Sequence, residues 1–301
     1  MDKPICLITG ATDGVGKATA QELAGKGFSV VLAARNAVKA AAVTEEIMVA
    51  TGNRDVDYII ADLRSLTQVR QLSETFKQRY PRLDVLINNA GIFMPTRVIT
   101  EDGYETTFQV NYLSQFWLTQ LLLDELKKVW CSRIINLSSS LYGAGKFDNA
   151  NLQSERRFST VGSYAASKLL VLLFTVEFAR RLAGTPITAN AVHPGLVRTQ
   201  MMRRAPGFLR AVSYAALPFS LSPQQGAASV MYLASSPEVA DVSGHYFSRT
   251  QLKDIKTRFN TQHNRNLLWD LSMRSLQPGG RAIADVSGPD EGGRSNGPVS
   301  R

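Results

Sequence analysis

The stretch Tyr164-Ala165-Ala166-Ser167-Lys168 sets a phenol and an ammonium four residues apart inside the apolar run YAASKLLVLLFTVEFARRL. On a helix, residues i and i+4 share a face, so the two side chains are neighbours. A phenol with an ordinary pKa near 10 is a poor base at neutral pH, and a positive charge one turn away favours its ionised form. The pair therefore suits proton transfer to or from an oxygen. Taken alone, it is also what any helix with a buried tyrosine and a solvated lysine would show.

A second segment, TGATDGVGKATA, places Gly10, Gly14 and Gly16 after an apolar strand-like run. Glycines at a strand-to-helix junction allow a tight turn and close backbone approach, so that a pyrophosphate can rest on the free N–H groups at the positive end of the helix. The spacing G-x-x-x-G-x-G differs from the commoner G-x-G-x-x-G. The next strand ends LAARN, where a dinucleotide fold meets the adenosine ribose. Ala34 and Arg35 offer no acceptor for a 2'-hydroxyl, whereas a guanidinium suits a 2'-phosphate. NADP(H) is thus expected over NAD(H), with Asp13 in the loop as a mild counter-argument because a carboxylate repels phosphate. Asp62 closes the third strand, positioned either to reach the adenine amine or to cap the following helix.

These segments are positioned by an alternation of elements. Runs apolar on both faces, PICLIT, FSVVLAA, VDYIIA, LDVLINN, SRIINLSS and ITANAVHP, are separated by helical patterns, and a last short strand lies near GHYFS. Such alternation indicates a single α/β domain with a doubly wound, mainly parallel sheet of seven strands. A long helix is expected from about Tyr104 to Lys128, and another from Pro223 to about Ala234. The chain has 301 residues, 44% of them hydrophobic, ample for one core. The domain is expected over 1–277. Residues 278–301, rich in Gly, Pro, Ser and charge, are expected to be a disordered tail.

The net charge of +9 comes without a dense basic block interleaved with aromatics, which argues against nucleic acid. Cys6 and Cys131, each in an apolar run, read as reduced core residues. The three histidines lack ligand spacing, so no metal is expected. The N-terminus MDKPICLITG enters a strand at once, and the longest strongly apolar segment, Leu169 to Phe178, is about half of what a bilayer requires. The expectation is a cytoplasmic protein, not secreted, with at most peripheral membrane contact.

The combination of TGATDGVG, NNAG at Asn88 to Gly91, Asn111, NLSSS at Asn136 to Ser140, YAASK, and HPG at His193 to Gly195 resembles the short-chain dehydrogenase/reductase family. The motifs stand in the family's order and cover about residues 4 to 250. NLQSERRFS, HPGLVRT, SPQQGA and SGHYFS are similar to its retinol dehydrogenase branch. The resemblance implies a catalytic set of Asn111, Ser139, Tyr164 and Lys168. Tyr164 would donate a proton to a carbonyl oxygen, or accept one from an alcohol. Ser139 would hold that oxygen, with Ser138 and Ser140 as alternatives, and Asn111 would hold a water that connects Lys168 to solvent. The hydride belongs to the nicotinamide.

For the cofactor, the resemblance implies contacts from Gly10, Thr12, Asp13, Gly14, Val15 and Gly16 in the first loop, and from Arg35 and Asn36 at the ribose. Asp62 and Leu63 would lie near adenine, and Asn89, Ala90 and Gly91 beneath the ribose and nicotinamide. Tyr164 and Lys168 would reach the cofactor too, as would Pro194, Gly195, Val197 and Thr199. Residues of about 199–222, QMMRRAPGFLRAVSYAALPFSL among them, occupy the place of the family's variable substrate lid. Their Met, Phe, Leu and Tyr content suits a small lipophilic carbonyl or alcohol, such as a retinal-like aldehyde. A biosynthetic ketoreductase, or a cofactor-binding regulatory protein with little turnover, is the alternative, and a homo-oligomer is left open.

Overall fold

The computed structural model describes residues 3–198 and 220–276. Among them, eight strands form one sheet in the order β3-β2-β1-β4-β5-β6-β7-β8. The strands are β1 Ile5–Thr9, β2 Ser29–Ala34, β3 Val56–Ile60, β4 Val85–Asn88, β5 Ser132–Leu137, β6 Ile187–His193, β7 Tyr246–Ser248 and β8 Gln251–Lys253. All pair in parallel except β7 with β8. The chain winds outward from β1 to β3, then returns to the other side of β1 with β4. The ends of β1 and β4 therefore bound the crevice where a doubly wound sheet binds ligands.

Successive side chains of a strand point to opposite faces, and here both faces are covered. Ile5 and Leu7 join one hydrophobic cluster while Cys6 and Ile8 join the other. One face carries α1 Gly14–Gly25, α2 Ala37–Thr51 and the helix Pro223–Ser235, with Leu23, Ile47 and Val230 turned into the sheet. The opposite face carries α3 Leu66–Arg79, the segments after Glu105 that hold α4 Thr106–Phe108, α5 Ser114–Leu121 and α6 Leu123–Lys127, the 22-residue helix α7 Thr160–Arg181, and a last helix, Gln262–Ser275. Side-chain caps mark the helix starts: Asn36 accepts from Lys39 N, Ser65 from Gln68 N, Ser159 from Gly162 N, and Ser222 with Gln225 forms a capping box before Pro223.

Three sequence expectations are corrected. An eighth strand exists because Gln251–Lys253 returns as a hairpin on β7; all three residues are exposed, so no apolar alternation announces it. The expected helix from Tyr104 to Lys128 is broken into Thr106–Phe108, a π-helical turn Gln109–Leu113, Ser114–Leu121 and Leu123–Lys127. Cys131 is exposed, lying beside the exposed Trp130 just before β5 begins at Ser132, and only Cys6 is a core residue. The expected tail 278–301 and most of the lid, 199–219, lie outside the described residues.

The last helix was not anticipated. It is fixed by Glu177, whose carboxylate accepts from Arg180, Arg181 and Gln262, and by Trp269, which stacks on Phe178. Helix α7 is long and apolar enough to cross a bilayer by composition, but 78% of its most apolar window is buried inside the protein. Phe116 sits at the junction, fully buried and edge-on to Phe174 and Trp269. Phe116→Ala is expected to lower the unfolding free energy by about 3–5 kcal/mol, as read by urea denaturation.

Candidate active site

The loops after β1 and β4 touch at the crevice. Gly10 has a φ of +65°, and a Cβ there would lie 2.9 Å from Ala90 Cα. At Gly16 a Cβ would lie 2.3 Å from Asn89 Nδ2 and 2.6 Å from Gly10 O. No side chain fits at either place. Asn89 Nδ2 donates to Thr9 O at 2.7 Å and Gly10 O at 3.0 Å, while Thr9 Oγ1 accepts from the N–H groups of Asn89 and Ala90. The result is a narrow backbone cradle opening on the first turn of α1, whose N–H groups lack intrahelical partners. Asp13 caps that helix, accepting from Gly14 N at 2.7 Å, and its second oxygen pairs with Lys39 at 3.3 Å. Its charge is thereby partly neutralised. Thr12 is half-buried beside it, and Val15 is buried.

At the end of β2, Arg35 is exposed, and Asn36 uses its side chain to cap α2. Asp62 does not cap α3, a role taken by Ser65. Instead it accepts from Arg64 N at 3.0 Å and from the Arg64 guanidinium at 2.6 and 2.9 Å. Burial pushes its carboxyl upward, but Arg64, with a further pull from Arg35, holds it below the usual range. Leu63 O accepts from Ser114 Oγ at 2.6 Å, and Ala90 O from Gln115 Nε2 at 2.6 Å. Both loops are thereby pinned to the broken helix. Gly91 follows Ala90 in the same half-buried turn.

Beyond β5 the three serines separate by partner. Ser138 Oγ donates to Lys168 O at 3.0 Å, Ser140 is exposed, and Ser139 is buried with its hydroxyl near enough to the Tyr164 phenol to pull its pKa down. Ser139 also accepts from Leu141 N at 3.2 Å, capping the 3-10 turn Ser140–Ala144. Lys168 Nζ donates to Leu137 O at 2.7 Å and lies 5.6 Å from the centre of the Tyr164 ring. Burial pushes the Tyr164 phenol up to about 12, against the pull of Ser139, and brings the Lys168 amine down to about 8. The expected lowering of Tyr164 by the lysine is thus outweighed by desolvation.

Asn111 lies in the π-helical turn and is fully buried. Its Oδ1 accepts from Ile92 N at 2.8 Å, and its Nδ2 donates to Ile92 O at 3.1 Å and Ser167 Oγ at 3.0 Å. The backbone departs from α-helical bonding here, as π turns do. Ser167 in turn donates to Tyr164 O at 2.7 Å. Ser167 and Phe93, whose ring stacks on Tyr164, went unnoticed in the sequence. A serine three residues after Tyr164 was the available signal, because helical serines bond back to carbonyls one turn earlier.

At the end of β6, Gly195 has a φ of +93°, and a Cβ would lie 2.7 Å from Leu221 Cδ1. Pro194 precedes it, and Val197 forms a parallel bridge with Leu221. Thr199 lies outside the described residues. Burial, then the Arg249 guanidinium, lower the His193 imidazole to about 4, so it is neutral at pH 7. Arg249, whose N–H donates to His193 O, holds an unusual φ of 56° in the β7–β8 turn.

A glycine cradle at the switch point of a parallel sheet, with a dry Ser-Tyr-Lys cluster at its carboxyl edge, defines a dinucleotide-binding α/β enzyme. The short chain dehydrogenase family model matches residues 4–207. Human retinol dehydrogenase 13 is 41% identical over 275 residues, 89% of this chain and 83% of the relative. Mouse retinol dehydrogenase 14 is 40% identical, covering 88% and 84%. Among solved structures, a putative uncharacterized protein from Mycobacterium paratuberculosis has 31% identity and a TM-score of 0.73, covering 91% of this chain and 95% of the other. The Pseudomonas aeruginosa RhlG/NADP active-site complex has 27% identity and a TM-score of 0.66, covering 81% and 94%. The chain belongs to the short-chain dehydrogenase family of oxidoreductases and resembles its retinol dehydrogenases.

The buried Lys168 has a measurable cost. Its amine has a pKa of about 8 in the fold against 10.5 in the open chain, so the unfolded state binds more protons between these values and stability rises with pH across that window. At pH 7 the burden is about 3 kcal/mol, offset by about 1 kcal/mol from the bond to Leu137 O. Lys168→Met is therefore expected to be more stable than the parent in urea at pH 7, with the difference shrinking by pH 10.

Proposed function

We propose that the protein is an NADP(H)-dependent oxidoreductase interconverting a lipophilic carbonyl compound, such as a retinal-like aldehyde, and its alcohol. The observation that carries this reading is the dry approach of Ser139 to Tyr164, one turn from Lys168. When bound, the reduced nicotinamide supplies the hydride. Gly10, Gly14, Gly16, Asn89 and Gly195 would shape its seat, since the positions that approach most closely admit no Cβ.

The substrate oxygen accepts hydrogen bonds from the Ser139 and Tyr164 hydroxyls, which fixes the carbonyl. Tyr164, protonated at neutral pH, then gives its proton as negative charge develops on that oxygen. In the oxidative direction the same phenol takes the proton back, and Lys168 compensates the phenolate that precedes it. Preference for NADP(H) is supported by Arg35, exposed at the end of β2, where Ala34 offers no carboxylate to a ribose hydroxyl. Exposed Leu141 and Leu196, following Ser139 and Gly195, support an apolar substrate.

Tyr164→Phe is expected to reduce kcat for NADPH-dependent aldehyde reduction by at least about a thousandfold while NADPH binding, followed by fluorescence, changes less than about threefold. Retained turnover would remove Tyr164 from the chemistry. Arg35→Glu is expected to cut kcat/KM for NADPH by about a hundredfold relative to NADH; an unchanged ratio would reject the 2'-phosphate contact.

A further inference from the structure

The ring of Phe93 lies flat against Tyr164, with centroids 3.8 Å apart and planes 15° from parallel. Neither side of this stack is left to local preference. Asn111 holds both backbone groups of Ile92, the residue before Phe93, and through Ser167 it also holds the carbonyl of Tyr164. One buried amide thus fixes the chain behind each ring.

The faces of two aromatic rings both carry the negative part of the quadrupole. A phenolate adds charge to one of them, so close face contact favours the neutral phenol, as does the exclusion of water from that face. Few other groups bear on Tyr164. Its own helix contributes the Lys168 amine, the 3-10 turn contributes the uncharged Ser139 hydroxyl, and the turn bearing Asn111 reaches it through Ser167 alone.

We propose that Phe93 is a positioning residue for Tyr164, held through Ile92 by Asn111, and that its ring sets both the plane of the phenol and the readiness with which that phenol gives up its proton. This rests on Tyr164 being the acid/base group of the proposed oxidoreductase.

The test follows the pH dependence of kcat for NADP+-linked oxidation of a simple aliphatic alcohol in the parent, Phe93→Leu, Phe93→Ala and Phe93→Trp, with Tyr164→Phe as control. The rate rises with pH to a plateau as the phenol ionises. In the Leu and Ala variants the midpoint of that rise is expected to move down by about one pH unit, with KM for the alcohol changed less than about threefold, whereas Trp keeps the parental midpoint. An unmoved midpoint in Leu and Ala overturns the proposal. A Trp variant displaced as far as Ala also overturns it, as does loss of NADPH binding in both truncations, which would make Phe93 a post for the cofactor loop. If Tyr164→Phe retains turnover, the functional reading fails first, and the two failures remain distinct.

Discussion

Two hydrogen bonds run in opposite directions between the end of β5 and the third turn of α7. Lys168 Nζ donates to Leu137 O, and Ser138 Oγ donates to Lys168 O. The helix is thereby locked to the strand on both its side-chain and its main-chain faces. Because neighbouring residues beyond the strand point differently, anchoring Leu137 and Ser138 aims Ser139 at Tyr164 and leaves Ser140 outside. A charged amine is kept dry to achieve this, which fits the general finding that functional sites hold groups the fold would otherwise reject.

The layer beneath is polar as well. Asn88 Nδ2 donates to Thr119 Oγ1 and Asn136 Oδ1, and Asn136 Nδ2 donates to Thr175 Oγ1. This buried ladder crosses from the broken helix over β4 and β5 to α7. Slipping β4 against β5 by one residue would strand several amides without partners, at about 1–3 kcal/mol each. Asn88 and Asn136 face each other in the sheet, so the ladder holds in line the two strands whose ends carry the cofactor loop and the serines.

The sequence was most legible where one physical rule acted alone. Strands buried on both faces and glycines at a strand-to-helix turn each leave a local trace. The eighth strand leaves none, because Gln251–Lys253 buries nothing, and Cys131 misleads because apolar neighbours do not reveal where a strand starts. In the site, residue types were readable but partners were not. Asp62 satisfied both of its proposed roles on paper, yet Arg64, two residues on, claims its carboxylate. Asn111 stands out in the sequence only through its place in the order of motifs. That it bonds Ile92 and Ser167 depends on contacts 19 and 56 residues away, which no local pattern records. The burial that raises the Tyr164 phenol leaves no trace either, because charge is visible in a sequence and desolvation is not.

The bridge between Val197 and Leu221 has an architectural meaning. Arg198 N donates to Leu221 O, and Leu221 N donates to Leu196 O, so the chain departs from and returns to a single point beside Gly195. Because closure entropy grows by only about 0.6 kcal/mol for each doubling of the closed length, a clamp of this kind leaves the scaffold nearly indifferent to how many residues it encloses.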